Sequence, residues 1–198
     1  MEPKKWEIKQ KEKIYDTGFM QVYAMDCELP DEGKKHIFTS VGFKDWVIVM
    51  AVKKEDLSII TVKQHRLGTD EITTELPAGA VDKGEDTMTA AQRELLEETG
   101  YTSNTWIRLH SMNVNPAVET NQCHFYLALN CEKTGNQDLD PDEYIIVESV
   151  ARDKYYPAMF SNSLSVLCAY MAEQFLDYSI KQAKESAKNT NKGESNED

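Results

Sequence analysis

Residues 79–101 read GAVDKGEDTMTAAQRELLEETGY, and this stretch decides the fold. Gly79 to Gly84 form a loop with glycine at both ends. From about Asp86 to Thr99 the chain reads as one helix, since residues Ala90 to Glu98 are nearly all strong helix formers. Asp86 or Thr87 can cap the start, and Gly100 suits the left-handed position just past the end. A helix turns by roughly 100° per residue, which divides this one into two expected faces. Met88, Leu95 and Leu96 are expected on the buried side, and Glu94, Glu97 and Glu98 on the other, within one turn. Three carboxylates that close repel one another. A hard divalent cation removes the repulsion, and oxygen-only ligands select Mg²⁺ or Mn²⁺ over zinc. Arg93, four residues before Glu97, can steady that carboxylate by an ion pair. The plain alternative is a solvated acidic face, the usual role of such clusters.

The spacing argues against that alternative. Gly79, Glu85, Arg93, Glu94, Glu97, Glu98 and Gly100 meet every fixed position of G-x5-E-x7-R-E-U-x-E-E-x-G-U, where U is a bulky apolar residue. Leu95 fills the first U, and Tyr101 fills the second, where an aliphatic residue is more usual. In this motif the sequence resembles the Nudix hydrolases. The resemblance implies an α/β/α sandwich with a mixed sheet. It also implies Mg²⁺-dependent hydrolysis of a nucleoside diphosphate linked to another group.

Glu94 and Glu98, one turn apart, are the first-choice metal ligands, with Glu97 a ligand or next to one. The resemblance adds the main-chain carbonyl of Ala78. Glu85 and Arg93 are expected to pin the loop to the helix, and Arg93 and Glu97 are grouped with the catalytic residues. Glu75-Leu76-Pro77-Ala78-Gly79 is the ELPAG run that ADP-ribose and other nucleotide-sugar pyrophosphatases often carry. Gln64-His65-Arg66 precedes it at a strand end. By the same resemblance Arg66 binds substrate phosphate, to which its guanidinium offers a two-pronged donor. Gln64 and Glu75 are grouped with it. Pro116 stands where ADP-ribose-type members have a proline, although their Ser-Pro-Gly is here Asn115-Pro116-Ala117. The attacking water needs a base or an orienting carboxylate. In the stretch DLDPDEYI Glu143 is the best positional match, with Asp140 and Asp142 as rivals. A nucleobase needs an aromatic platform, for which Trp46, Trp6 and Tyr23 are candidates, although large aromatics are mostly spent on burial.

Working outward, the 198 residues suffice for one domain with a full core and an appendage. Hydrophobic residues make up 40% and charged residues 28%, as in ordinary globular proteins. A net charge of −12 argues against nucleic-acid binding and means that an anionic substrate must meet local cations. No apolar run approaches the roughly 18 residues a membrane span needs. Cys27, Cys123, Cys131 and Cys168 have no zinc-ligand spacing, and the start lacks a leader pattern, so reduced thiols in a cytoplasmic protein are expected. His36, His65, His110 and His124 likewise lack metal spacing.

Along the chain, residues 1–13 can form a strand or an arm, and residues 19–29 and 37–41 can pair across the Pro30–Gly33 turn. Residues 1–43 are therefore expected as a small N-terminal antiparallel sheet, which the resemblance suggests builds a homodimer. Trp46–Val52 has the continuous apolarity of a buried central strand. Leu57–Lys63, Ile72–Leu76, Trp106–Met112, Cys123–Leu129 and Tyr144–Val150 add strands, and a polar loop is expected over 132–142. A helix is expected over 161–184, capped by Ser161 or Ser163, with Leu164, Leu167, Met171, Phe175 and Tyr178 as its core stripe. Residues 185–198 are polar and expected to be disordered.

The expected fold class is thus α/β, with residues 44–184 as the hydrolase domain. The first functional reading is a Mg²⁺-dependent pyrophosphatase of a small-molecule nucleotide sugar, ADP-ribose or related. The alternatives are a Nudix hydrolase of nucleoside triphosphates or dinucleotides, and a non-catalytic ADP-ribose sensor. A sensor is expected to have lost box carboxylates, and this chain keeps them all.

Overall fold

A computed structural model describes residues 2–176 of the chain. Three strands form a first antiparallel sheet: β1 (Glu7–Asp16), β2 (Gln21–Leu29) and β3 (Lys34–Gly42). Between β2 and β3 a 3₁₀ turn, Pro30–Glu32, ends on Gly33 with φ 61°. Every residue of β1 is exposed, so this sheet has no packed face of its own along that edge.

The second sheet is mixed. It contains β4 (Trp46–Lys53), β5 (Ile59–Arg66), β6 (Glu71–Glu75), β7 (Ala78–Ala80), β8 (Tyr101–Thr102), β9 (Thr105–Asn113), β10 (Gln122–Lys133) and β11 (Ile146–Val150). The pairing runs β11-β5-β4-β10-β8, with β6 on β5, β7 on β4 and β9 on β10. The β4–β10 pair is parallel and the others are antiparallel.

Two helices cover this sheet. The first, α1 (Thr87–Thr99), lies on one face, and α2, described over residues 163–176, lies on the other. The two-residue period of a strand explains why β4 is apolar throughout. Val47, Val49 and Ala51 pack with Ala90, Ala91 and Leu95 of α1. Ile48, Met50 and Val52 pack with Cys168, Ala169, Ala172 and Leu176 of α2. Strand β10 splits in the same way, Tyr126 and Ala128 toward α1, Phe125 and Leu127 toward α2. The helices close on the sheet with small side chains, which lets their backbones approach it.

Several expectations need correction. Leu96 is 38% exposed, while Glu98 is buried beside Leu95 and Ala91. The arc of α1 under the sheet is centred one residue earlier than hydrophobicity alone suggests, so it takes in a glutamate and leaves out a leucine. The cap of α2 is neither serine: the Asn162 side-chain oxygen accepts from the Ser165 amide at 2.7 Å. Its core stripe is also rotated, since Leu167 is exposed and Cys168, Ala169 and Ala172 are buried. Tyr178, the end of the expected helix, and the tail 185–198 lie outside the described residues. Strand β10 continues to Lys133 through an irregularity where Asn130 has φ 55°, so the polar loop starts later than expected. Residues 144–145 lead into β11 without joining it.

Candidate active site

The loop and helix of residues 79–101 form one pinned unit. Asp86 caps α1 by accepting from the amides of Met88 and Thr89, at 2.9 and 3.4 Å. Gly100, with φ 71°, ends it and donates to the Leu96 carbonyl at 2.7 Å. A Cβ at Gly100 would also lie 2.3 Å from the Gly135 carbonyl, so only glycine fits.

Arg93 is the hub of the pin. Its Nε and Nη2 donate to the two Glu85 oxygens at 3.0 and 2.9 Å, and Nη2 also reaches the Ala80 carbonyl at 3.0 Å. Its Nη1 reaches Glu94 at 2.8 Å and Glu97 at 3.0 Å. The hydrogen bond from Arg93 holds the Glu85 carboxyl below the usual range. The donors of Arg93 are thus spent within the loop and the helix, on Glu85, Ala80, Glu94 and Glu97.

Tyr101, the departure from the usual aliphatic residue, packs against the α1-side core. Its ring lies 5.5 Å from the Lys53 ammonium and 5.3 Å from that of Lys133. An aromatic ring serves the core and two cations at once.

Glu98 is 3% exposed and accepts from the Ala78 amide at 2.9 Å. Burial pushes its carboxyl well above the ordinary value, and repulsion from Glu94 and Glu143 adds to the rise against the Ala78 bond. Burial also raises Glu94, against the pull of Arg93. The Glu94 carboxylate lies against Gly79, where a Cβ would fall 2.1 Å from its carboxyl carbon. The first glycine of the motif is therefore the space that Glu94 occupies.

Glu98, Gly79 and Ala78 line a cavity of about 570 Å³. Gln64, Arg66, Glu75, Glu143, Trp46 and Asn162 line it too. Arg66 meets Glu75 through two parallel bonds, Nε to Oε1 at 2.8 Å and Nη2 to Oε2 at 2.7 Å. Glu75 is 2% exposed, and Thr73 Oγ1 donates to it at 2.6 Å. Burial alone would raise the Glu75 carboxyl, but hydrogen bonds from Arg66, Thr73 and Asn162 outweigh it and hold the group below its ordinary value. Glu75, grouped by sequence with the substrate-binding residues, thus spends its carboxylate on Arg66. An anionic neighbour that is already paired has little to offer a diphosphate.

The loop after β10 closes over the C-terminal end of α1. Asp138 donates its amide to the Glu97 carbonyl at 2.9 Å. Gln137 Nε2 donates to the carbonyls of Glu98 and Ile145, at 2.8 and 3.1 Å. This brings Glu143 to the cavity, while Asp140 and Asp142 do not line it. Glu143 Oε2 accepts from the Asp140 amide at 3.1 Å, so its turn is self-closed. Sequence reasoning missed Gln137, because a side chain that caps a helix from a distant loop leaves no local signal.

Other expected residues lie elsewhere. Pro116 is absent from the cavity lining and sits in a turn beside β3, where Val41 donates to the Val118 carbonyl at 2.7 Å. Trp6 packs edge-on to Phe38, and Tyr23 carries the Lys11 ammonium, so neither lines the cavity. Trp46 does, and an aromatic series reaches it from the first sheet. Phe19 stands 5.7 Å from Phe43, and Phe43 stands 6.0 Å from Trp46. Phe19, 71% exposed and on the cavity, was also missed. An isolated aromatic next to a glycine in a turn has no periodicity to reveal it.

The donors at this site are carboxylate and carbonyl oxygens, which fit a hard divalent cation rather than a soft one. Among the described residues no three ligating side chains already surround one point, because Glu94 and Glu97 are drawn to Arg93. The buried, mutually repelling Glu94 and Glu98 are the groups that a cation would neutralise.

The NUDIX domain family matches residues 44–164, so the chain belongs to the Nudix family and is a Nudix hydrolase, a class that generally uses divalent metal ions. Its relatives within that family include ADP-ribose pyrophosphatases. It is 35% identical over 141 residues to the ADP-ribose pyrophosphatase of Bacillus subtilis (strain 168), covering 71% of this chain and 75% of that one. It is 32% identical over 146 residues to the methanol dehydrogenase activator of Bacillus methanolicus, covering 72% and 77%. A crystal structure of an ADP compounds hydrolase superposes with a TM-score of 0.77 at 19% identity, covering 90% of this chain and 98% of that one, a likeness of fold.

Proposed function

We propose that the chain hydrolyses the diphosphate bond of ADP-ribose or a closely related nucleoside diphosphate sugar, with Mg²⁺, or Mn²⁺ in its place. The products are a nucleoside monophosphate and a sugar phosphate. The observation that carries this reading is the Arg66–Glu75 pair facing the same cavity as Glu98 and Gly79. In a chain of net charge −12, a clamped guanidinium opposite a carboxylate cluster suits an anion that needs cations on both sides.

In this reading Glu94 and Glu98, with Glu97 and the Ala78 carbonyl as further oxygens, hold the metal. Bound there, a divalent cation supplies charge neutralisation and lowers the pKa of a water ligand. Arg66 receives a diphosphate oxygen, Gln64 lies beside it, and Glu143 takes the proton of the attacking water. Trp46 and Phe19 offer the base a π-face. The Bacillus subtilis relative's activity supports the choice of ADP-ribose, and the complete set of box carboxylates supports catalysis over sensing.

A homodimer built on residues 1–43 belongs to the same reading. Tyr15 and Ile37, which the strand register puts on one face of the three-stranded sheet, are exposed apolar residues that a second copy would cover. The four free, buried thiols suit a reducing, cytoplasmic compartment, and among the described residues no helix is long and apolar enough to cross a membrane.

The test is a Mg²⁺-dependent assay on ADP-ribose, ADP-glucose, GDP-mannose and nucleoside triphosphates, with light scattering for the assembly. Release of AMP from ADP-ribose is expected. Turnover of triphosphates alone would favour the other Nudix chemistry, and tight binding without turnover would favour a sensor. A monomer in solution would remove the dimer.

A further inference from the structure

Asp45 directly precedes β4 and belongs to no strand. Its side chain and its backbone hold two different elements. Oδ1 accepts from the amide of Gln122, the first residue of β10, at 2.8 Å. The main-chain carbonyl accepts from the Val81 amide at 2.8 Å. Val81 is the first residue of the motif loop past β7. It follows Ala80, whose carbonyl accepts from Arg93, and Gly79, which makes room for Glu94. The other carboxylate oxygen, Oδ2, lies 3.6 Å from Nε2 of His124, a residue 5% exposed. Arg108 Nη2 donates to Ser111 Oγ at 2.8 Å, and that oxygen lies 2.7 Å from His124 Nδ1. The serine, an acceptor toward Arg108, keeps its own proton for Nδ1, so the neutral ring carries its N–H on Nε2, on the side of Asp45.

We infer that Asp45 is a positioning residue for the motif loop, through which it sets the place of Glu94. A hydrogen bond to a carbonyl is directional, so the Val81 amide follows the Asp45 peptide plane. The hold of the carboxylate on β10 fixes that plane just where the β4 ladder ends. The neighbouring Lys44–Asp82 pair bonds at 2.9 Å, but both side chains are more than half exposed, so it contributes little. Asp45 is therefore the buttress that joins β10 to the loop. This inference rests on Glu94 being a metal ligand. It goes beyond that reading by assigning the placement of the loop to a residue outside the motif.

Asp45→Asn keeps an oxygen for the Gln122 amide, and Asp45→Ala removes it. In the full chain, Asp45→Ala is expected to weaken Mg²⁺ binding about tenfold by isothermal titration calorimetry. It is also expected to lower kcat for ADP-ribose about tenfold, the low end for groups that orient a metal's ligands. KM is expected to stay within about twofold, since the substrate's own contacts are untouched. Asp45→Asn is expected to stay near the wild type in both affinity and kcat. In the wild type, the Val81 amide is expected to exchange with deuterium at least about tenfold more slowly than that of exposed Lys83, by NMR. That measurement stands even where Asp45→Ala does not fold. Unchanged Mg²⁺ affinity and kcat in a folded Asp45→Ala would overturn the inference, as would equal losses in Asp45→Asn or an unprotected Val81 amide. Glu94→Gln with normal Mg²⁺ affinity would instead overturn the underlying role of Glu94.

Discussion

The Ala78 amide donates to the buried carboxylate of Glu98 at 2.9 Å, across 20 residues of chain. This bond ties the last turn of α1 to the short strand β7 that carries the first glycine of the motif. The strand, the loop and the helix are thereby tied together, and a carboxyl that burial pushes well above its ordinary value is held by a main-chain amide.

Replacement of Glu98 by glutamine keeps the acceptor for Ala78 and removes the charge. The fold is expected to persist, with a melting temperature equal to or above that of the wild type without metal, since a desolvated charge is gone. kcat is expected to fall on the order of a hundredfold, the usual cost of one preorganised charge-stabilising group. Mg²⁺ is expected to raise the melting temperature of the wild type and not of the variant. Calorimetry with and without the ion checks both statements, and normal turnover would exclude Glu98 as a ligand.

Gly79→Ala sets a methyl group 2.1 Å from the Glu94 carboxyl carbon. The obstructed atoms are the free end of a flexible side chain, so the carboxylate swings aside at little cost to stability. Activity is expected to fall by up to about a hundredfold, as for a misplacement of about 1 Å near the reacting atoms. Paired measurements of kcat and thermal unfolding separate the two effects. A large drop in melting temperature would show that the backbone, and not Glu94, yields.

Glu75→Gln tests the clamp through pH. The folded Glu75 carboxyl lies below its ordinary value, so its ionised form is the stabilised one. Its contribution is complete above the unfolded carboxyl's pKa of about 4.3 and is lost as pH falls through the lower folded value. The wild type is expected to be the more stable protein at pH 7. The gap is expected to shrink below about pH 4, as protonation does to the wild type what the substitution does to the variant. Urea unfolding at both pH values is the measurement, and a gap independent of pH would contradict the buried ion pair.

Phe19→Ala removes an exposed ring from the cavity mouth. Stability is expected to change little, because the residue contributes no core packing. KM for ADP-ribose is expected to rise about fivefold or more, the low end of base–aromatic stacking near 1 kcal/mol per base. Ribose 5-phosphate, as a competitive inhibitor, is expected to bind both proteins equally. Equal weakening of the inhibitor would mean that Phe19 does not meet the base.

The chain's local signals were legible wherever one residue type answers one local need. Asp86 caps α1 and Gly100 ends it because a short acceptor and a left-handed backbone are demands of the helix itself. The apolar run of β4 announced a strand covered on both faces, and both helices lie where that implies. The spacing of Glu85, Arg93, Glu94, Glu97 and Glu98 announced a pinned acidic helix, and Arg93 joins four of its neighbours.

What escaped the sequence depends on partners far along the chain. Leu96 and Glu98 exchange their expected surroundings because β7, and not the helix's own pattern, chooses the covered arc. The carboxylate of Glu75 turns to Arg66 nine residues earlier, Gln137 caps a helix from another loop, and Phe19 comes to the cavity from a different sheet. The amino-acid order by itself determined which segments form helices and strands, and which carboxylates share a turn, since those follow from short-range geometry. Only the tertiary structure decided which of those carboxylates are buried, which are paired and which face the cavity. Burial and pairing are sums over neighbours that the chain brings together only on folding.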